Sequence, residues 1–124
     1  TDLLLVSNQE EEQKKVAADL AVQYGVKTTA LYADLSKQDA AENLLQYCKD
    51  NNLVVDILIN NAGVFFFNPY CETSMKRIEL MLNLHMITVA KLTRLFGEDM
   101  INRQLTAEEQ AQKICLRPCI SVFC

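Results

Sequence analysis

The strongest constraint on this chain is a repeated order of signals: a short β-rich run, a polar turn, then apolar residues at helical spacing. Leu3 to Val6 is aliphatic and leads into Ser7 and Asn8, after which Val16, Ala17, Leu20, Ala21 and Tyr24 recur on one helical face. A second β-rich run, Thr28 to Ala33, ends in Asp34 and Leu35 and precedes Ala41, Leu44, Leu45 and Cys48 at the same spacing. The third run is Asp56 to Gly63, DILINNAG, where a buried strand passes directly into two asparagines, an alanine and a glycine. A loop with Phe65, Phe66, Phe67 and Pro69 follows, and then a long helix reaching about Met100. Strands joined by helices imply right-handed crossovers and a parallel sheet with helices on its faces. The predicted fold is α/β, a partial parallel sheet flanked by helices in three α/β/α layers.

Local signals set the expected boundaries. Asn8 suits the first N-cap, Glu10 to Glu12 complement the positive end of the helix dipole, and Gly25 supplies a left-handed stop. Ser36 with Asp39 has the form of a capping box, Asp50 to Asn52 break the second helix, and Thr73 or Ser74 caps the long one. Near the end, Thr106 and Glu109 form another capping box, and CISVFC is an apolar ending.

Composition narrows the function. At 124 residues, half of them apolar, the chain fits one domain with its own core. A net charge of −4 provides no sequence-wide footprint for nucleic acid or an anionic membrane. No apolar run approaches the ~20 residues of a membrane-spanning helix. Five cysteines, an odd count without a signal-peptide pattern, point to reduced thiols and a cytoplasmic location. Cys115, Cys119 and Cys124 lack zinc-site spacing and His85 is the single histidine, so no metal site is expected. The chain begins with Thr1 rather than Met, as expected of a fragment or a processed product.

Ligands of open parallel sheets bind beyond the carboxyl ends of the strands. Three places fall there by pattern: Ser7 with Asn8, Asp34 with Leu35, and Asn60 to Gly63. They form either a ligand edge or ordinary polar turns.

In the order LLLVSN, YADLS and INNAG, the chain resembles the short-chain dehydrogenase/reductase family from Leu3 to about Met100. The resemblance implies a Rossmann-type sheet, a partial dinucleotide-binding domain at residues 1–101, and a C-terminal helix and apolar tail at 102–124 packed on it. It implies NAD or NADP as cofactor and a small carbonyl or alcohol substrate. Ser7 and Asn8 would lie at the cofactor-selecting turn, Asp34 would accept a hydrogen bond from adenine, and Leu35 would cover part of the base. Asn61, Ala62 and Gly63 would line the cleft, with Gly63 giving the backbone a close approach to a cofactor ring, while Asn60 braces the turn. Asn8 is neither the base typical of NADP users nor the acid typical of NAD users, so preference stays open.

The family places an asparagine on the long helix, where it helps to organise the catalytic lysine and a water. Asn83 matches by residue type, whereas the best register puts His85 there; two helical steps of 100° set them on nearly opposite faces. His85 lies on the more apolar face with Met81, Thr88, Leu92 and Phe96, which favours it as the catalytic candidate, with Asn83 the alternative. A core histidine bonded to a carbonyl is the structural reading of the same position. The aromatic triplet reads as loop core, substrate wall or partner epitope.

The family's chemistry also needs a glycine-rich turn and a tyrosine followed four residues later by lysine. The residues four beyond Tyr24, Tyr32, Tyr47 and Tyr70 are Thr28, Ser36, Asn51 and Ser74, and the T-G-x-x-x-G-x-G turn is absent. Loss of a general acid costs roughly 10²- to 10⁴-fold in rate. The expectation is a family chain, truncated or internally deleted, that is inactive alone. The alternative is a non-catalytic remnant that binds a nucleotide weakly or self-associates. In the strand order 3-2-1-4-5-6 the DILI strand lacks both neighbours. CISVFC, the LLLVS strand or another chain could close the gap, and self-association is expected.

Overall fold

The computed structural model describes residues 2–108 and 119–122. Its elements are β1 (Leu3–Ser7), α1 (Glu10–Tyr24), β2 (Thr28–Tyr32), α2 (Ala40–Asp50), β3 (Ile57–Asn60), a 3₁₀ turn (Tyr70–Glu72), α3 (Met75–Leu82), a π segment (Asn83–Ile87), α4 (Thr88–Glu108) and β4 (Cys119–Val122). The fold is α/β, a short parallel sheet flanked by helices.

β1 pairs in parallel with β2, Leu3 opposite Thr28 through Ser7 opposite Tyr32. β3 pairs in parallel with β4, Ile57 opposite Cys119 through Asn60 opposite Val122. β4 also lies against β1, so the strands run β2, β1, β4, β3 across the molecule, although the ladder hydrogen bonds join only the outer pairs.

Alternation along β1 assigns the layers. Leu4 and Val6 belong to a core with Ala40, Ala41, Leu44 and Cys48 of α2 and with Leu84, Leu92 and Phe96 of the long helix. Leu5, between them, points the other way and is equally buried, on the side where α1 contributes Gln13 and Ala17. Gln13 donates from Nε2 to the carbonyls of Leu5 and Leu31, and Thr28 donates to the Ala17 carbonyl, which fixes α1 on β1 and β2. Phe96, Leu92, Val6, Leu5 and Val55 are the most completely buried large side chains, each contributing about 1.5–3 kcal/mol by leaving water.

The helix boundaries depart from the capping signals in four places. α1 starts after Gln9, not Asn8, and Ser7 Oγ accepts the Gln9 N–H at 3.1 Å. Ser36 and Asp39 make no capping box: Asp39 precedes α2 without a side-chain cap, and Ser36 instead donates to Asp34. Thr106 lies within α4 and not at its start, while its expected partner Glu109 lies outside the described residues. The long helix extends to Glu108 and is interrupted by the π segment, closed by a Thr88 N–H to Asn83 carbonyl bond. Gly25, in contrast, ends α1 at φ 62°, and Ser74 caps α3 by accepting the Arg77 N–H. No helix among the described residues is long and apolar enough to cross a membrane.

Candidate functional site

The carboxyl ends of the strands are tied together by the long helix. Thr88 donates from Oγ1 to the Leu35 carbonyl at 2.7 Å in a buried bond, which holds the turn after β2 against the start of α4. Thr93, farther along α4, accepts from the amide of Asn60 at 3.2 Å, which braces the end of β3. Between them, Lys91 reaches the Gln38 carbonyl at 2.6 Å and Glu42 at 2.8 Å. Loops after β2 and β3 therefore share one helical support.

At the other end of β3, Arg103 of α4 bonds Asp56 at 2.8 Å and Asp99 at 3.0 Å, and also donates to the Val55 carbonyl. Burial lowers the Arg103 pKa, but the two carboxylates outweigh it and hold the pKa above the ordinary guanidinium value. β3 is thus fastened to α4 near both its ends. A cavity of about 160 Å³ lies beside this cluster, lined by Cys48, Val55, Phe96 and Asp99 among others, and not at the carboxyl edge.

The DILINNAG turn makes its closest contact with the π segment. His85 Nε2 is 3.0 Å from the Val64 amide nitrogen and 2.9 Å from the Val64 carbonyl oxygen. One ring nitrogen either accepts from the N–H or donates to the carbonyl, according to tautomer, so the histidine fastens Val64 in either form. A Cβ on Gly63 would lie 2.8 Å from His85 Cε1. The positive φ that favours glycine is absent at Gly63; Gly25 has it. Glycine at position 63 accommodates the His85 ring on the side where a side chain would stand.

His85 itself is exposed, not a core histidine and not on the buried stripe. The stripe is Leu84, Thr88, Leu92 and Phe96, because the π segment accommodates an extra residue and displaces His85 to the edge of the helix. Asn83 opens the π segment two positions earlier, and its carbonyl closes the wide turn.

Each remaining candidate has a placement. Asp34 Oδ1 accepts from the Ser36 amide at 3.0 Å and the Ser36 hydroxyl at 2.6 Å, and Lys37 stands 3.7 Å from Oδ2. The Ser36 hydroxyl bond is the main reason that the carboxyl stays below its usual range, with the Ser36 amide and Lys37 adding to it against the opposing effect of burial. Leu35 is buried in the core and cannot cover a base face. Ser7 is buried with its hydroxyl on Gln9, Ala62 packs against the same core as Leu35, and Asn8, Asn61 and Gly63 are exposed.

Past the turn, Phe65 and Phe67 meet edge to face at 4.7 Å and are exposed, so they are not loop core. The Arg77 guanidinium covers Phe66 at 4.4 Å from the ring centre. The contacts that sequence reasoning missed are those of Val64, Thr93 and the Asp56, Asp99 and Arg103 cluster. Only Asp99 and Arg103 carry a sequence signal, their spacing of four on one helix.

The carboxyl edge consequently fits a nicotinamide nucleotide only in part. Asn8, Asn61 and Gly63 border open surface, whereas the Asp34 carboxylate is engaged locally, Leu35 is internal, Ala62 is half-buried against the core and His85 occupies the Cβ side of Gly63.

A family model described as short chain dehydrogenase matches residues 1–107. The chain is 28% identical over 103 residues to the very-long-chain 3-oxoacyl-CoA reductase of Anas platyrhynchos, covering 80% of this chain and 33% of that protein. It is 28% identical over 106 residues to the inactive hydroxysteroid dehydrogenase-like protein 1 of Homo sapiens, covering 83% and 32%. The chain thus spans about a third of the length of these relatives. In fold it matches L-sorbose reductase from Gluconobacter frateurii, solved with NADPH and L-sorbose, at a TM-score of 0.73 and 20% identity over 82% of this chain and 39% of that one. A dehydrogenase from Sphingobium yanoikuyae, solved with NADPH, matches at 0.73 and 24% identity over 82% and 40%.

Proposed function

The chain belongs to the short-chain dehydrogenase family, and from that premise we propose that it is an incomplete oxidoreductase chain that binds NAD or NADP weakly and transfers no hydride alone. Intact relatives of this kind act on a carbonyl or alcohol carbon, and a small carbonyl or alcohol is the substrate class we assign by relationship. The observation that carries the reading is the His85 ring seated against Gly63 and hydrogen-bonded to Val64. A nucleotide ring that approached Gly63 from the side of the missing Cβ would meet the histidine, which leaves only the exposed side of that backbone for contact. The missing tyrosine and lysine pair supports the same reading, because no residue at the edge is matched to the family's proton donor.

Asn8, Asn61, Ala62 and Gly63 are the residues we assign to residual cofactor contact, with Ser7, Asp34 and Leu35 shaping the edge from within. His85, or Asn83 in its place, is the one candidate for a catalytic position. We place residues 102–124 in the same domain as 1–101 and the protein in the cytoplasm. Titration with NADH and NADPH, followed by nucleotide fluorescence, tests binding: the expected dissociation constant is millimolar or weaker, about 4 kcal/mol or less. Substrate-dependent loss of absorbance at 340 nm with a carbonyl panel, abolished in His85→Ala, would overturn the proposal.

A second reading, self-association, is favoured by the exposed Ile57 and Ile59 and by the side of β3 away from β4, which has no strand partner among the described residues. Sizing with light scattering over a concentration series tests it.

A further inference from the structure

The position of β4 conflicts with the handedness of the rest of the sheet. β1 passes to β2 through α1 on the Leu5 face, and β2 returns across β1 to β3 through α2 on the Leu4 and Val6 face. Direction and face reverse together, so these two crossovers have the same hand, the right hand that about 98% of such connections adopt. From β3 the chain turns back toward β1 to reach β4, yet it travels through α4, which packs on the Leu4 and Val6 face with α2. Direction reverses and face does not. Made within one chain, the third crossover is therefore left-handed.

The strand slot is nevertheless well formed. It lies between β1 and β3, accepts β4 in parallel over four residues of register, and would otherwise leave the inner edge of β3 without its ladder. The same ladder formed by the C-terminal strand of a second copy requires no crossover at all, because the inserting strand arrives from a different chain.

We propose that the chain dimerises by reciprocal exchange of β4, with Cys119–Val122 of each copy inserted in parallel between β1 and β3 of the other. The inference deepens the self-association reading and is independent of nucleotide binding. Ten residues, 109–118, join α4 to β4, and an extended segment of that length reaches about 33–36 Å, far enough to enter a neighbouring copy. The exchange is isologous and closes at two copies, so it yields a dimer and not a filament.

The register provides the test. Ile57 and Cys119 are opposite each other, and neighbouring strand positions lie within disulfide range. Ile57→Cys is made in the full chain with Cys71→Ser, Cys115→Ser and Cys124→Ser, leaving Cys48 buried. The reduced dimer is isolated by sizing, oxidised, and analysed by non-reducing electrophoresis and peptide mass spectrometry. The expected result is a covalent dimer joined through position 57 of one chain and Cys119 of the other. Mixing with a size-tagged copy under exchange conditions before oxidation should give the mixed dimer as well.

A linkage between the two positions within one chain overturns the exchange, as does a dimer in which position 57 never joins Cys119. A chain ending at Arg117 provides the second measurement: exchange predicts that it is monomeric, and a persisting dimer places the contact elsewhere and overturns the proposal. If the full chain is monomeric at every concentration, the self-association reading fails with it; a dimer without the linkage defeats the exchange alone.

Discussion

Substituting Gly63 by alanine separates two reasons for a glycine at the end of DILINNAG. Because its φ is outside the left-handed region, the backbone itself imposes no penalty on a side chain there. Against a flexible chain, Gly→Ala at a compatible position stabilises by about 0.4–1 kcal/mol through the unfolded state. The new Cβ, however, would lie 2.8 Å from His85 Cε1, closer than carbon atoms tolerate. The ring is exposed, so it can swing away, and its departure removes the Val64 hydrogen bond, about 0.5–1.5 kcal/mol. Gly63→Ala should therefore be close to neutral in the native background and stabilising by about 0.4–1 kcal/mol in His85→Ala. The double-mutant cycle, read from urea unfolding of the four proteins, should give a coupling of about 0.5–1.5 kcal/mol. Equal effects of Gly63→Ala in both backgrounds would refute the idea that the histidine is what requires the glycine.

Four further outcomes follow from the supports of the strands and from the core. Arg103→Met should lower stability by about 1–3 kcal/mol, because it leaves Asp56 and the Val55 carbonyl partly buried without their donor; the shift in urea midpoint measures it. Thr88→Val keeps the side-chain shape but strands the buried Leu35 carbonyl, at a cost of about 1–3 kcal/mol on the same assay. Burial, with a smaller contribution from Asp99, raises the Cys48 thiol to about 11, so alkylation mapped by peptide mass spectrometry should modify exposed Cys71 well before Cys48. Since the folded pKa exceeds the unfolded value of 9.0, the Cys48 contribution is complete below pH 9 and is lost as pH rises toward about 11. Stability should fall across that window with a slope of no more than about 1.4 kcal/mol per pH unit from this group, and Cys48→Ala should remove that part of the slope.

The strands and helices were legible wherever periodicity and burial agree. The Leu3 to Val6 and Thr28 to Tyr32 runs form paired strands, and the spacing of Ala41, Leu44 and Cys48 places those residues in the core. Capping was less legible because several polar residues near a helix start compete for the same amides. Ser7 engages Gln9 where Asn8 was expected to cap, and Asp34 takes the Ser36 hydroxyl that the capping box required. At the site, the residues singled out lie at or just beyond the strand ends, but several of their partners lie far away in sequence. His85 meets Val64 across 21 positions and Thr88 meets Leu35 across 53, separations for which a single sequence has no periodic signal. The placement of CISV beside β3 was one of several ways to fill the gap, since apolar composition specifies a strand without specifying its neighbour.

The π segment also changes what an insertion or deletion means in this gene. A π turn is an α-helix carrying one residue more than its regular ladder requires. Loss of the codon for exposed Met86 would leave a helix able to close with ordinary bonds and with no polar group stranded. The turns on either side would keep close to their present faces, because the wide turn already absorbs the extra residue, and the change would fall on the segment from Asn83 to Ile87 itself. His85 would leave Val64 while Thr88, Leu92 and Phe96 stayed in place. A length change that helix propensity would tolerate would thus release the turn after β3, so the conformation of DILINNAG depends on how many residues stand between Leu82 and Thr88 as much as on which residues they are.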